Sequence, residues 1–425
     1  MSYTRAGAGG LDRQTESPAP TFWPGAHSGE QFAQREENKL SVLMLLPYFP
    51  PDYSGAGAQA LKLSLALRRC GLSVSVMTTG TSALMRFGQV AGISVIRIPA
   101  FGPEWLRTVL FNVGSLPLLL LRMKRFDVIH LHSLNGMYSA MLLKWLAGKK
   151  VIFKITNFGM DDPVSLRRQP GGRLKLFFFK RADRVVAISR DCLKSCRQSK
   201  VAPGVCAFIP NGVDVELFKP LNREQRARLR RMMAVKEDEL VIAFVGQIRR
   251  RKGVIKIVRA LRPMLAGTRR IRCFIVGPVA ETDYFATVQE EIAAQSSGAF
   301  FHFTGEVGDA RRYLQISDIF VFPSEREGLP NALLEAMACG LACIASNISG
   351  CADVITHGKN GLLVDPDSIS ELTEAIRAVA EDGRLRTRLG RAARRSMCEQ
   401  YSLDRIAGAY CELYGSVLQR PMSRI

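Results

Sequence analysis

The chain reads as an α/β protein of two doubly wound halves, and three features predict this. Short apolar runs alternate with amphipathic stretches, the pattern of parallel strands joined by crossover helices. The alternation stops near residues 218–223 and restarts at "LVIAFVGQ". The length, 425 residues, is enough for two such domains, and a composition of 47% hydrophobic and 23% charged residues suits a globular interior.

Taken in order, residues 1–38 mix Gly, Pro, Ala, Ser and charges without an apolar run. They predict a disordered tail and no secretory signal. The amino-terminal half, 39–218, opens with a buried strand over 40–46 and a Pro-rich loop. A helix follows in "AQALKLSLALRRCG", with Leu61, Leu65 and Ala66 on one side and Gly71 as its stop. Strands continue at "LSVSVMTT", "ISVIRIP", "DVIHLH", "KVIFKIT", "RVVAIS" and "VCAFIPNGVD". The carboxy-terminal half, 219–400, carries strands at "LVIAFVGQ", "RCFIVG", "FFHFTG", "IFVFPS", "LACIAS" and "GLLVD", with helices over 253–265 and 370–380. A last amphipathic helix within 401–425 carries Ile406, Tyr410, Leu413 and Tyr414 as a buried stripe. Its spacing says that it packs on a domain, and the amino-terminal one is the candidate. The most apolar stretch, over 109–121, is shorter than the ~20 apolar residues of a spanning helix and contains Pro117, so no transmembrane helix is expected.

The net charge of +21 favours an anionic partner: a membrane surface, nucleic acid or a phosphorylated substrate. No base-reading module is recognisable, so nucleic acid is set aside. Ten cysteines occur without a CxxC pair. Cys192 with Cys196, and Cys339 with Cys343, stand about a helical turn apart, but no matching His or Cys cluster accompanies them. They read as buried small apolar residues of a reducing cytoplasm, with no metal role.

Chemistry concentrates in "EREGLPNALLEAMACG". Gly328 permits unusual backbone angles, and Pro330 suits the first turn of a helix over 331–338. Glu327 then sits on a loop and Glu335 about one turn inside the helix. The helix-start amides around Gly328, Leu329, Pro330 and Asn331 lie between them and suit an anion. Two carboxylates flanking an anion seat make poor phosphate ligands but good acceptors for hydroxyls. That pattern calls for a sugar on each side of a diphosphate. In "VGQIRRRKG", Lys252 and Arg249 precede a helix and would stabilise a departing diphosphate, unless the run is merely solvated. In "SGAGAQ", Gly55, Ala56 and Gly57 let backbone approach a ligand, or form only a turn. His130 and His132 share one strand face. His132 lies nearer the cleft, where ligands of facing sheets bind. A structural histidine is the alternative, and a zinc pair lacks a third ligand.

Together these segments resemble the retaining GT-B glycosyltransferases, the nucleotide-sugar-dependent group that includes bacterial polysaccharide and phosphatidylinositol mannosyl transferases. The likeness covers about residues 40–415. It rests on the order and spacing of "FPPDYSGAGAQ", "DVIHLH", "RADRVVAIS", "IPNGVD", "VGQIRRRKG", "GKNGLLVDP" and, most specifically, the Glu-x7-Glu pair Glu327 and Glu335. It implies two Rossmann-like domains facing a cleft, with the donor held mainly by the carboxy-terminal one. Glu327 would lie near the transferred sugar's hydroxyls, Glu335 at the ribose, Lys252 at the diphosphate, and His132 near the reacting oxygen. Two positions depart from the family pattern. Gln247 stands where an Arg is common, with Arg249 the candidate substitute, and Asn157 and Phe158 stand where a His is common.

The implied reaction moves a hexose, with retention and without a metal or other cofactor, from a nucleotide-diphosphate sugar to a glycan or lipid-linked acceptor. The expected setting is bacterial polysaccharide or envelope glycan synthesis. The favoured chemistry is front-face attack, with the leaving phosphate taking the acceptor's proton. Nucleotide-sugar hydrolysis or epimerisation, and an inactive nucleotide-sugar-binding subunit, are the alternatives. Basic and apolar residues mix in "RRQPGGRLKLFFFKRADR" and over 105–125. They point to an anionic membrane surface and a cytoplasmic protein peripheral to the inner face, unless both are ordinary packing helices.

Overall fold

The computed structural model describes residues 39–52, 54–80, 85–265 and 270–419. The tail expected over 1–38 lies outside the described residues. Eight strands make the first sheet: β1 (Ser41–Leu45), β2 (Ser73–Gly80), β3 (Arg86–Val90), β4 (Ile93–Pro99), β5 (Val128–Leu131), β6 (Lys150–Ile155), β7 (Arg184–Ala187) and β8 (Cys206–Phe208). Their order is β3-β4-β2-β1-β5-β6-β7-β8, parallel throughout except for β3 on β4. Six parallel strands make the second: β9 (Leu240–Val245), β10 (Ile271–Val276), β11 (Phe301–Phe303), β12 (Ile319–Phe322), β13 (Ala342–Ser346) and β14 (Leu362–Val364), in the order β11-β10-β9-β12-β13-β14. This is the expected pair of doubly wound domains.

β1 shows why the sheet is buried on both faces. Leu43 and Leu45 enter the cluster that includes Phe111 and Leu119, whereas Val42 and Met44 enter the opposite one. The opposite cluster is closed by the last helix, Leu403–Leu418, whose Ile406, Tyr410, Leu413 and Tyr414 pack with the β1 residues and with the helix Gly55–Arg69. The chain therefore leaves the amino-terminal domain and comes back to it. The two crossings touch: Val213 N donates to Tyr401 O and Leu403 N to Val213 O, both at 2.9 Å.

One strand is unexpected and two local expectations are corrected. Strand β3 has no apolar alternation to announce it; it pairs with β4 through the two-residue turn Ala91 and Gly92, whose φ values are +49° and +77°. Gly55, Ala56 and Gly57 are not a free loop but the first turn of Gly55–Arg69, because Ser54 caps it by accepting from Gly57 N at 3.0 Å. Glu104–Leu121 runs as one helix through Pro117, whose missing N–H leaves only the carbonyl of exposed Val113 for water to satisfy. That helix is long and apolar enough, by length and composition, to cross a membrane, contrary to expectation. Its Phe111, Ser115 and Leu119 are nevertheless buried within the domain.

Candidate active site

Strands of both sheets lead into one cleft, which encloses about 580 Å³. The helix Asn331–Ala338 starts at its floor, with Pro330 as the extended N-cap residue rather than the first helical one. Gly328 has no positive φ; its role is closeness. A Cβ there would stand 3.2 Å from Thr156 O across the cleft, and Gly350 already abuts Gly328 O. Gly328 thus lets the two domains meet beside the site.

Glu327 is nearly enclosed. Its Oε1 accepts from Lys252 Nζ at 2.7 Å, Arg251 Nη1 at 3.0 Å and Ser324 Oγ at 2.7 Å. The cations arrive there because Gly253, at φ +70°, ends the turn Arg250–Lys252 against Pro323 O, where a Cβ would stand only 2.3 Å away. Lys252 also lies over the Phe322 ring at 5.0 Å. Two cations against one carboxylate leave positive charge beside a helix start, the arrangement a diphosphate needs. Glu335 lies on the same cleft wall, one turn into the helix, and accepts from Lys62 Nζ at 2.5 Å. Lys62 belongs to the amino-terminal domain. A second bridge runs from Asn211 Nδ2 to Asn331 Oδ1 at 3.0 Å and from Asn331 Nδ2 to Gly55 O at 3.3 Å.

The remaining candidates divide. Gly55, Ala56, Gly328, Leu329, Pro330, Asn331, Gln247 and His132 line the cleft. Gly57 does not; a Cβ there would stand 2.5 Å from Tyr48 O, so it serves close packing. Arg249 lines the cleft but its Nε is held by Glu281 at 3.1 Å, and Arg251 is the arginine that reaches Glu327. His130 faces the last helix, where its Nδ1 pairs with Tyr414 Oη at 2.8 Å. His132 is buried with Nε2 unpartnered. Burial, then His130 and Lys154, hold it neutral, well below the usual histidine range. Among the described residues, no group of three His, Cys, Asp or Glu is placed to hold a metal, and all ten cysteines are free.

Residues 53–217 match the family "Glycosyltransferase Family 4" and residues 225–396 the family "Glycosyl transferases group 1". The chain belongs to the GT-B glycosyltransferases. Its relatives include a D-inositol 3-phosphate glycosyltransferase of Kribbella flavida, 27% identical over 376 residues that cover 80% of this chain and 86% of that one. They also include the N-acetyl-alpha-D-glucosaminyl L-malate synthase of Bacillus anthracis, 24% identical over 297 residues, 70% of this chain and 76% of that one. Anabaena Alr3699/HepE, solved with UDP and glucose, has the same fold: TM-score 0.74 at 18% identity, covering 89% of this chain and all of that one.

Sequence reasoning missed Lys62, Arg251 and Lys154 in this glycosyltransferase. Lys62 matters only through a contact between domains. Arg251 is one of three adjacent arginines that a one-dimensional reading cannot rank. Lys154 did leave a signal: a charged residue inside "KVIFKIT", a strand otherwise read as buried.

Proposed function

We propose that this glycosyltransferase moves a hexose, with retention, from a nucleoside-diphosphate sugar to a glycan or lipid-linked acceptor in bacterial polysaccharide or envelope glycan synthesis. One observation carries the reading: Glu327 beneath Lys252 and Arg251, and Glu335 one helical turn beyond the same helix start, share a single cleft. The diphosphate would take the cations and the helix-start amides, while the two carboxylates accept from hydroxyls on either side. The complexes of HepE with UDP and with UDP-glucose support a uridine nucleotide as the first donor to try. Among the described residues no side chain is placed as an obvious nucleophile, so front-face attack is the favoured route. In it the leaving phosphate takes the acceptor's proton, and neutral His132 and Glu327 position the sugar. Charge developing on the leaving group is met by Lys252 and Arg251, so the reaction is proposed to need no metal.

A membrane setting on the cytoplasmic face belongs to the same proposal. Trp105, Val109, Val113 and Leu121 are exposed along Glu104–Leu121, beside Arg107, Arg122, Lys124 and Arg125. Neighbouring helices add Trp145 and Leu146, and Leu174 and Phe177. An apolar ridge fringed by cations suits anionic headgroups.

A melting-temperature screen of nucleotide sugars tests the donor. A ligand at 100 times its Kd adds about 2.7 kcal/mol, a shift of several degrees. A panel in which no nucleotide sugar moves the transition sinks the proposal. Release of free sugar at the full rate without any acceptor would turn it into a hydrolase.

A further inference from the structure

Along the cleft wall of the amino-terminal domain lies a polar cluster centred on Lys154, which takes no part in the donor contacts proposed above. Lys154 is on β6, where the register that pairs His130 with Ile152 and Leu131 with Phe153 sets it beside His132. Its residue is 4% exposed, and it lines the cleft. The ammonium stands over the Tyr410 ring at 5.7 Å. Among the described residues no carboxylate pairs with it and no hydrogen-bond acceptor reaches it. The titratable groups around it are His130 on β5, His132 just after that strand, and Tyr410 and Tyr414 from the last helix. Asp161, in the loop after β6, is engaged by Thr156 Oγ1 at 2.7 Å. His132 Nε2 is buried without a partner next to this amine.

An unpaired buried amine is costly, and a methionine would pack in this strand without that cost. The cost makes sense only if the counter-charge arrives with a ligand. The donor's diphosphate is already provided for on the opposite domain by Lys252, Arg251 and the helix start. We propose that the acceptor is anionic: its phosphate or carboxylate seats against Lys154, with His132 Nε2 hydrogen-bonding the same group or an adjacent hydroxyl. This rests on the donor site proposed above. It agrees with two relatives whose names carry D-inositol 3-phosphate and L-malate. Burial lowers the amine to about 7, so at pH 7.5 an arriving anion draws a proton onto it.

The test is isothermal titration calorimetry of the full chain at pH 7.5, in two buffers of different ionisation enthalpy. Glycerol 3-phosphate, malate and uncharged glycerol are titrated with and without a saturating nucleoside diphosphate. The expected result is binding of a charged probe but not of glycerol, with proton uptake, and no competition from the nucleotide. Lys154→Met should weaken the charged probe about tenfold or more while nucleotide binding persists and melting does not fall. Lys154→Arg should keep the binding and abolish the proton uptake. Glycerol 3-phosphate against malate separates phosphate from carboxylate recognition. Binding unchanged in Lys154→Met, binding abolished by the nucleotide, or no binding of either charged probe overturns the inference. Lys154-dependent binding in a protein that takes no nucleotide would overturn the donor assignment and leave this one standing.

Discussion

Glu327 is where two cations of the cleft converge, so its carboxylate occupies charge that the donor would share. Glu327→Gln should therefore lower kcat by about 100-fold or more while leaving nucleotide affinity undiminished, since Lys252 and Arg251 then face the diphosphate alone. Steady-state rates with a parallel UDP titration check this, and unchanged kcat would remove Glu327 from the reaction. Lys154 gives a second residue-level outcome. Its folded value near 7 lies below the ordinary 10.5, so between those pH values only the unfolded chain holds the proton. Stability must rise with pH across that window. Lys154→Met should melt higher than the parent at pH 7, with the gap closing toward pH 10. The histidines act lower down: both lie well below 6.5 in the fold, so their contribution is complete above 6.5 and is lost as pH falls. At this scale the sequence singled out Glu327, Glu335 and Lys252, and the structure brings the three into one cleft. It could not choose Arg251 over Arg249, because that choice is made by Glu281 capturing Arg249 from 32 positions away.

Whole elements were more legible, for a physical reason. A parallel strand buried on both faces must be an apolar run, so thirteen of the strands announced themselves. β3, an exposed edge strand, had no such obligation. Proline misled at Glu104–Leu121 because a helix lying on the surface can hand an orphan carbonyl to water. The same helix supports a prediction. Full-length protein should sediment with acidic vesicles and stay in solution with neutral ones, releasing as salt rises. The pair Trp105→Ser and Val113→Ser, both exposed and outside the cleft lining, should cut recovery without changing melting. Equal recovery with both lipids would reject the membrane setting.

At the level of the molecule, the domains are held across the cleft by Lys62 to Glu335 and by the chain of Asn211, Asn331 and Gly55. Lys62→Met should loosen the ligand-free form, seen as a larger radius of gyration in X-ray scattering that returns to the parent value with nucleotide. An unchanged radius would mean that the crossings at Val213 and Ser402 fix the angle alone. Neither bridge was readable beforehand, since an amphipathic stripe records that a face is covered and not by what. The returning helix has a further consequence for how the protein is made. Its Tyr410 and Tyr414 complete a core whose other half, Val42, Met44 and Val128, leaves the ribosome 282 to 372 residues earlier. Through most of translation the first domain is a sandwich missing a slice. A truncated product ending at residue 218 should clump, and a synthetic peptide spanning 401–419 added during refolding should rescue it.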